Sequence, residues 1–174
     1  MPPSRLAQPS TLDDVLLYRL SRLLGTAGSM VIRLCEGSYG ITRREWRVIA
    51  VLAQGEDLLS SQLAERAQLD RARTSKAITS LVAKQLVRRE PRPGDRRQAA
   101  LALTDAGRAL YAELFPQVLR INHDLLAALP GREVESLDQA LDLLQRQAQT
   151  LVAQAQLPKA DRRRGGRARA RAGE

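Results

Sequence analysis

The 174-residue chain has one cysteine, Cys35, one histidine, His123, and five aromatic residues, and each scarcity removes a class of protein. A lone cysteine builds no disulfide framework. Together with one histidine it also falls short of the four ligands of a structural zinc site or the three of a catalytic one. No cofactor is expected. His123 stands without a paired acid or nucleophile, and no Gly-rich phosphate loop is present, so an enzyme is not expected either. Long apolar runs are missing too, since nothing approaches the ~18 uninterrupted residues of a membrane span. Residues 1–10 are polar and Pro-rich, without the apolar centre of a secretory leader. A soluble, cytoplasmic protein is expected, with no membrane partner.

What is present is leucine and alanine, within an apolar share of 44%, and few of the β-branched residues that favour strands. A mainly helical domain follows. Lysine and arginine number 28 against 19 acids, a net +9 that makes polyanions the first partner class to consider. Residues 158–174 hold +5 of this charge, leaving +4 for the rest of the chain. With Gly165-Gly166 and alternating Arg-Ala this tail has little to pack and is expected to be disordered. It either touches phosphates without sequence preference or simply aids solubility. A second cluster is more local: Arg88, Arg89, Arg92, Arg96 and Arg97 are offset only by Glu90 and Asp95.

Helix-start signals divide the chain. Thr11-Leu-Asp-Asp14 and Thr42-Arg-Arg-Glu45 have the form of capping boxes, ahead of apolar-rich stretches over 15–35 and from Trp46 to Ala53. Ser60 is placed to cap a short helix over 61–67, and Asp70 a helix over 71–85. On the latter, a 100° projection centred on Ile78 puts Thr74, Leu81 and Val82 inward and Arg73, Lys76 and Ser80 outward. From Leu86 the period becomes two, and two short strands flank Pro91-Arg-Pro-Gly-Asp95, the form of a β-hairpin with an arginine-bearing tip. Thr104-Asp105 opens a fifth helix in which Pro116 can introduce a kink, and after Pro130-Gly131 a sixth carries Val134, Leu137, Leu141, Leu144 and Leu151.

This order, helix, helix, short helix, helix, basic hairpin and two long helices, is that of a winged helix-turn-helix, and here the chain resembles the MarR family of bacterial transcriptional regulators. The resemblance rests on Asp95-Arg96-Arg97 followed after five residues by Leu103-Thr104. Asp105-Ala-Gly107-Arg108, Leu63-Ala64 and Leu86-Val87-Arg88-Arg89 also match. It covers about residues 12–155. A departure is Gln85, where many members have a glycine that ends the recognition helix in a left-handed conformation. The implied organisation is a flexible start at 1–10 and a MarR-like domain over 11–157. Its DNA-binding lobe spans about 42–104, between dimerisation helices at about 12–36 and 105–155. The fold class is thus mainly α with a small hairpin wing.

By resemblance the protein is a homodimer of which two recognition helices and two wings meet a pseudo-palindromic double-stranded DNA operator. Arg73 and Lys76 are the candidates for base edges or nearby phosphates, with Arg71, Thr74 and Ser75 in the first turn; Thr74 serves either packing or a phosphate. Ser60, Ser61 and Gln62 either cap or reach phosphates. At the wing, the resemblance implies that Arg97 enters the minor groove while Asp95 orients it, a role suited to a narrow, electronegative groove. Arg92 and Arg96 face phosphates. Relatives are typically released from DNA by a small molecule, often an aromatic acid. Arg22, Ser29, Met30, Arg33, Trp46, Arg47, Tyr111 and Phe115 have the types that hold an aromatic carboxylate, charge on one side and stacking on the other. Two alternatives stay open: a redox sensor using Cys35, otherwise a small buried residue, and an architectural protein binding DNA without an operator.

Overall fold

A computed structural model describes residues 4–55, 57–92 and 95–157, without the side chains at 91, 92 and 95–98. The proposed tail, 158–174, and the turn residues Pro93 and Gly94 lie outside the described residues. Two units divide the chain, Met1–Ala128 and Leu129–Glu174.

In the first unit the chain enters through a single 3₁₀ turn, Leu12–Asp14, where Asp14 accepts from the backbone N–H of both Ser10 (3.2 Å) and Thr11 (3.0 Å). Hydrogen bonds from Ser10, the largest influence, and from Thr11 hold its carboxyl below the ordinary value near 3.8. Helix α1, Leu16–Arg33, then passes without a break into one π turn, Leu34–Ser38. The extra residue in that turn carries Cys35 into the core, fully buried. Gly40, at φ +60°, supplies the left-handed residue that turns the chain into α2, Arg43–Gln54.

Helix α2 contributes Trp46, Val48, Ile49 and Leu52 to the core, which Leu63 of α3 (Ser60–Arg66) and Ile78 and Leu81 of α4 (Arg71–Ala83) complete. Asp70 caps α4 as expected, accepting from Arg73 N–H at 2.8 Å. Ser60, in contrast, is not a cap: Leu59 holds that position and its N–H is taken by Gln62 Oε1 at 2.9 Å, so Gln62 is committed to the turn. Helix α4 stops two residues earlier than expected because Gln85 takes φ +59°, the conformation usually given to glycine.

Strands β1, Val87–Arg92, and β2, Asp95–Leu103, pair antiparallel from Val87↔Leu103, with a register shift between Pro91 and Arg92. Both reach further into the tip than the periodicity indicates. Leu101 is buried as the alternation predicts, but Ala100 and Ala102 are buried as well, so this end of β2 is covered on both faces. Leu101 N–H also donates to Leu58 O at 3.0 Å, adding a one-residue bridge too short for any periodicity to reveal.

Helix α5, Asp105–Leu126, starts where Thr104 accepts from Gly107 N–H at 3.0 Å and donates its hydroxyl to Gln85 O at 2.7 Å. The backbone of α5 comes so near the end of α4 that a Cβ on Gly107 would stand 3.1 Å from the Leu86 carbonyl carbon and closer still to its oxygen. Glycine here is a packing requirement. The Leu-Thr-x-x-Gly run is therefore the joint between the hairpin and α5. In the second unit α6, Gly131–Gln154, leaves Leu137, Leu141, Leu143, Leu144 and Leu151 exposed.

Candidate nucleic-acid interface

The outward face of α4 is set by what its inward face buries. Thr74, Ala77, Ile78 and Leu81 point into the core, leaving Arg71, Arg73, Ser75 and Lys76 exposed on the first two turns. Thr74 is fully buried and donates its hydroxyl to Asp70 O at 2.9 Å, so it packs into the core and not onto the outward face with Arg73 and Lys76. Ser80 also departs from the projection: it is half-buried and hydrogen-bonded to Glu45.

Glu45 organises the flank of this face. Its carboxylate is 2% exposed, accepts from Thr42 N–H at 2.6 Å and meets Lys84 Nζ at 2.9 Å, while the same ammonium donates to Gly40 O at 2.8 Å. Burial raises its pKa, but hydrogen bonds from Ser80, Thr42 and Lys84 outweigh it and hold the carboxyl below its ordinary value near 4.5. The residue that starts α2 thereby also anchors the end of α4. Beside it lies a groove of about 250 Å³ lined by Arg44, Arg73, Lys76 and Lys84. A second groove, about 450 Å³, runs between α3, α4 and the hairpin with Ser60, Ser61, Ser75 and Arg89 on its walls and Ile78 and Leu101 below. Four hydroxyl or cationic groups around such a space suit an anionic backbone. Arg44, Arg89 and Lys84 were not legible as parts of this surface, because the fold alone brings their segments beside α4.

The hairpin arginines have distinct roles. Arg88 is tied to the wing itself, donating to Leu103 O at 3.1 Å, an oxygen that Arg108 also holds at 3.0 Å. Arg92, Asp95, Arg96 and Arg97 occupy the tip-proximal ends of the strands, with Arg92 opposite Asp95 in register; their side chains lie outside the described residues.

Of the residues named for an effector, Trp46 and Arg47 line a cleft of about 230 Å³ between α1 and α2, together with Leu24, Gly28, Val31, Arg43 and Ala50. Trp46 stacks on Tyr111 with ring centroids 5.7 Å apart, and Tyr111 on Phe115 at 5.1 Å, so three of the five aromatic rings form one continuous stack. Arg47 is partly committed, donating to Ala67 O at 3.2 Å; Arg43, which no sequence pattern singled out, is the other cation on the cleft wall. Arg22, Ser29 and Met30 do not line it: Arg22 pairs with Asp13 at 2.6 Å, Ser29 donates to Thr26 O and Met30 is exposed. Arg33 borders a separate surface depression with Glu36 and Ser38.

The surroundings of Cys35 do not favour a redox role. Burial, then the neighbouring Glu36, push its thiol up to about 11 against a weaker opposing pull from Arg43, so it is neither ionised nor accessible. Tyr39 is committed elsewhere, its hydroxyl donating to Glu113 at 3.0 Å and accepting from Gln117. His123 is a surface residue beside Asp124. Among the described residues no group of three or more His, Cys, Asp or Glu could hold a metal ion, and no helix is long and apolar enough to cross a membrane.

Residues 39–98, which contain α2, the helix-turn-helix and most of the hairpin, match the MarR family model. Over these residues the chain resembles the MarR family. A protein of Thauera aromatica, assigned as the transcriptional regulatory protein for its hcr operon, is 32% identical over 108 residues. That match spans 62% of this chain and 65% of the relative's length. A solved structure from Pseudomonas aeruginosa, assigned as a transcriptional regulator, superposes with a TM-score of 0.65 at 26% identity, over 77% of this chain and 99% of that one. The PcaV transcriptional regulator from Streptomyces coelicolor, solved with its natural ligand, shares the fold with a TM-score of 0.64 at 24% identity, over 86% and 98%. The MarR-family match ends at residue 98, and the Leu103-Thr104-x-x-Gly107 joint lies just beyond it.

Proposed function

We propose that this chain is a MarR-family regulator, a homodimeric transcriptional repressor that binds a pseudo-palindromic operator and is released by a small aromatic acid. The observation that carries the DNA-binding reading is the split face of α4: Arg71, Arg73, Ser75 and Lys76 are outward while Thr74, Ala77, Ile78 and Leu81 are buried in the core. Helix α4 enters the major groove, and the grooves lined by Arg44 and by Ser60, Ser61 and Arg89 receive flanking phosphates. Arg97 reaches the minor groove, oriented by Asp95, with Arg92 and Arg96 on phosphates.

Dimer formation is supported by the exposed Leu17, Leu20, Leu23 and Leu24 on α1 and by the leucines of α6, since a single chain rarely leaves so many large apolar residues to water. The cleft beside the Trp46, Tyr111 and Phe115 stack, with Arg43 and Arg47 on its wall, suits an aromatic carboxylate. The test is fluorescence anisotropy against duplexes selected from a randomised pool. The wild type should bind selected half-sites about one helical turn apart, Arg97→Ala should weaken binding strongly while light scattering still reports a dimer, and an aromatic acid should release the DNA. Failure to enrich any sequence refutes the operator, a monomer refutes the homodimer, and unchanged affinity in Arg97→Ala refutes the wing assignment.

A further inference from the structure

The start of α4 holds a pairing that capping alone does not require. One oxygen of Asp70 accepts the backbone N–H of Arg73 at 2.8 Å, and the other lies 3.2 Å from Nε of the same residue's guanidinium. A single carboxylate thus restrains both the backbone and the side chain of Arg73. The Arg73 side chain nevertheless stays 60% exposed, on the outward face and in the first turn of the helix.

The consequence lies in which donors remain. With the Asp70 carboxylate ion-paired at the Nε edge, the guanidinium keeps its two terminal amino groups as a planar pair, and such a pair matches the O6 and N7 acceptors of guanine in the major groove. A phosphate contact would not need this aim, because an unrestrained arginine reaches an oxygen from many rotamers. Lys76, one turn later, is a point charge with no comparable directionality. We infer that Arg73 reads one guanine in each half-site and that Asp70 is its positioning residue. The inference rests on the DNA-binding reading of α4 and adds to it a base and a device for reading it.

The experiment uses the full chain and duplexes selected by the wild type, with each half-site guanine replaced in turn by 7-deazaguanine, which lacks N7, or by inosine, which lacks only the minor-groove amino group. One guanine per half-site should show about a tenfold loss with 7-deazaguanine and little change with inosine, as expected for a bidentate major-groove contact. That penalty should vanish in Arg73→Ala and in Arg73→Lys, which keeps the charge. In Asp70→Asn it should fall below about threefold although asparagine caps a helix as well as aspartate, so that helicity and Tm hold. Asp70→Ser, another good cap without a carboxylate, should behave alike. If the wild type selects no sequence, the operator reading falls and the inference with it. If a sequence is selected but no guanine shows an Arg73-dependent penalty, Arg73 is not the reader. A full penalty retained in both Asp70 variants overturns the positioning role.

Discussion

Replacing Gly107 by alanine adds one methyl group where α5 docks on the turn between α4 and β1. The new Cβ would come closer than 3.0 Å to the Leu86 carbonyl oxygen, 3.1 Å from its carbon and 3.3 Å from Leu103 Cδ2, and the nearest of these is backbone that no rotamer change can move. Helix α5 must retreat. Retreat strains Thr104 N–H to Leu86 O, now 3.1 Å, and Thr104 Oγ1 to Gln85 O, now 2.7 Å. Forced overpacking costs about 1–3 kcal/mol, each strained hydrogen bond about 0.5–1.5, and alanine's helix preference returns about 1. The net loss is about 1–5 kcal/mol, which at about 2–4 °C per kcal/mol lowers Tm by roughly 2–20 °C. The assay is thermal unfolding followed by circular dichroism, with Gly25→Ala as the control. Gly25 lies inside α1, where an added Cβ would meet nothing within 4 Å outside its own helix backbone and chain neighbours, so the same substitution there should leave Tm unchanged or raise it. A Gly107→Ala Tm within about 2 °C of wild type would refute the close approach and the account of the Leu-Thr-x-x-Gly joint.

Other outcomes follow from the buried groups and the charge map. Because the folded carboxyl of Glu45 is held below its ordinary value near 4.5, its contribution to stability is complete above that pH and lost as pH falls through the folded value; the stability gap between wild type and Glu45→Gln in urea titrations should therefore be widest near neutrality and close toward pH 3. Cys35, raised to about 11, should resist iodoacetamide at neutral pH until the protein unfolds, and stability should decline between about pH 9 and 11 as the unfolded thiol ionises first; rapid labelling of the native protein would restore it as a redox candidate. An aromatic carboxylate that binds in the α1–α2 cleft should change the fluorescence of Trp46, the single tryptophan, and Arg43→Ala should weaken that response about tenfold; an unaltered titration would move the site elsewhere. Removing residues 158–174 should flatten the slope of log K against log salt, and an identical slope would leave the tail without a DNA role.

Much of this molecule was legible in order along the chain because the determinants are local. Thr42 with Glu45, Asp70 and Thr104 start helices by satisfying backbone donors three residues away, and the change of period at Leu86 marks the hairpin. The same locality explains the misplaced details. Leu59 takes the cap position expected of Ser60 because Gln62 reaches back to it, and a projection that ranks Thr74 correctly cannot know that Ser80 faces Glu45 across a helix pair. A hydrophobic period reports which face is covered, not by what.

The sequence alone determined the helices, the starts of α2, α4 and α5, the basic hairpin and the outward Arg73 and Lys76, since these depend on contacts within about four residues. Only tertiary structure decided that the Glu45 carboxylate meets Lys84, that Trp46 stacks on Tyr111, that Gly107 rests on Leu86, and that Cys35 is buried. Those outcomes join distant segments or depend on solvent exclusion. No spacing along the chain encodes either, because close packing and dielectric are properties of the assembled core.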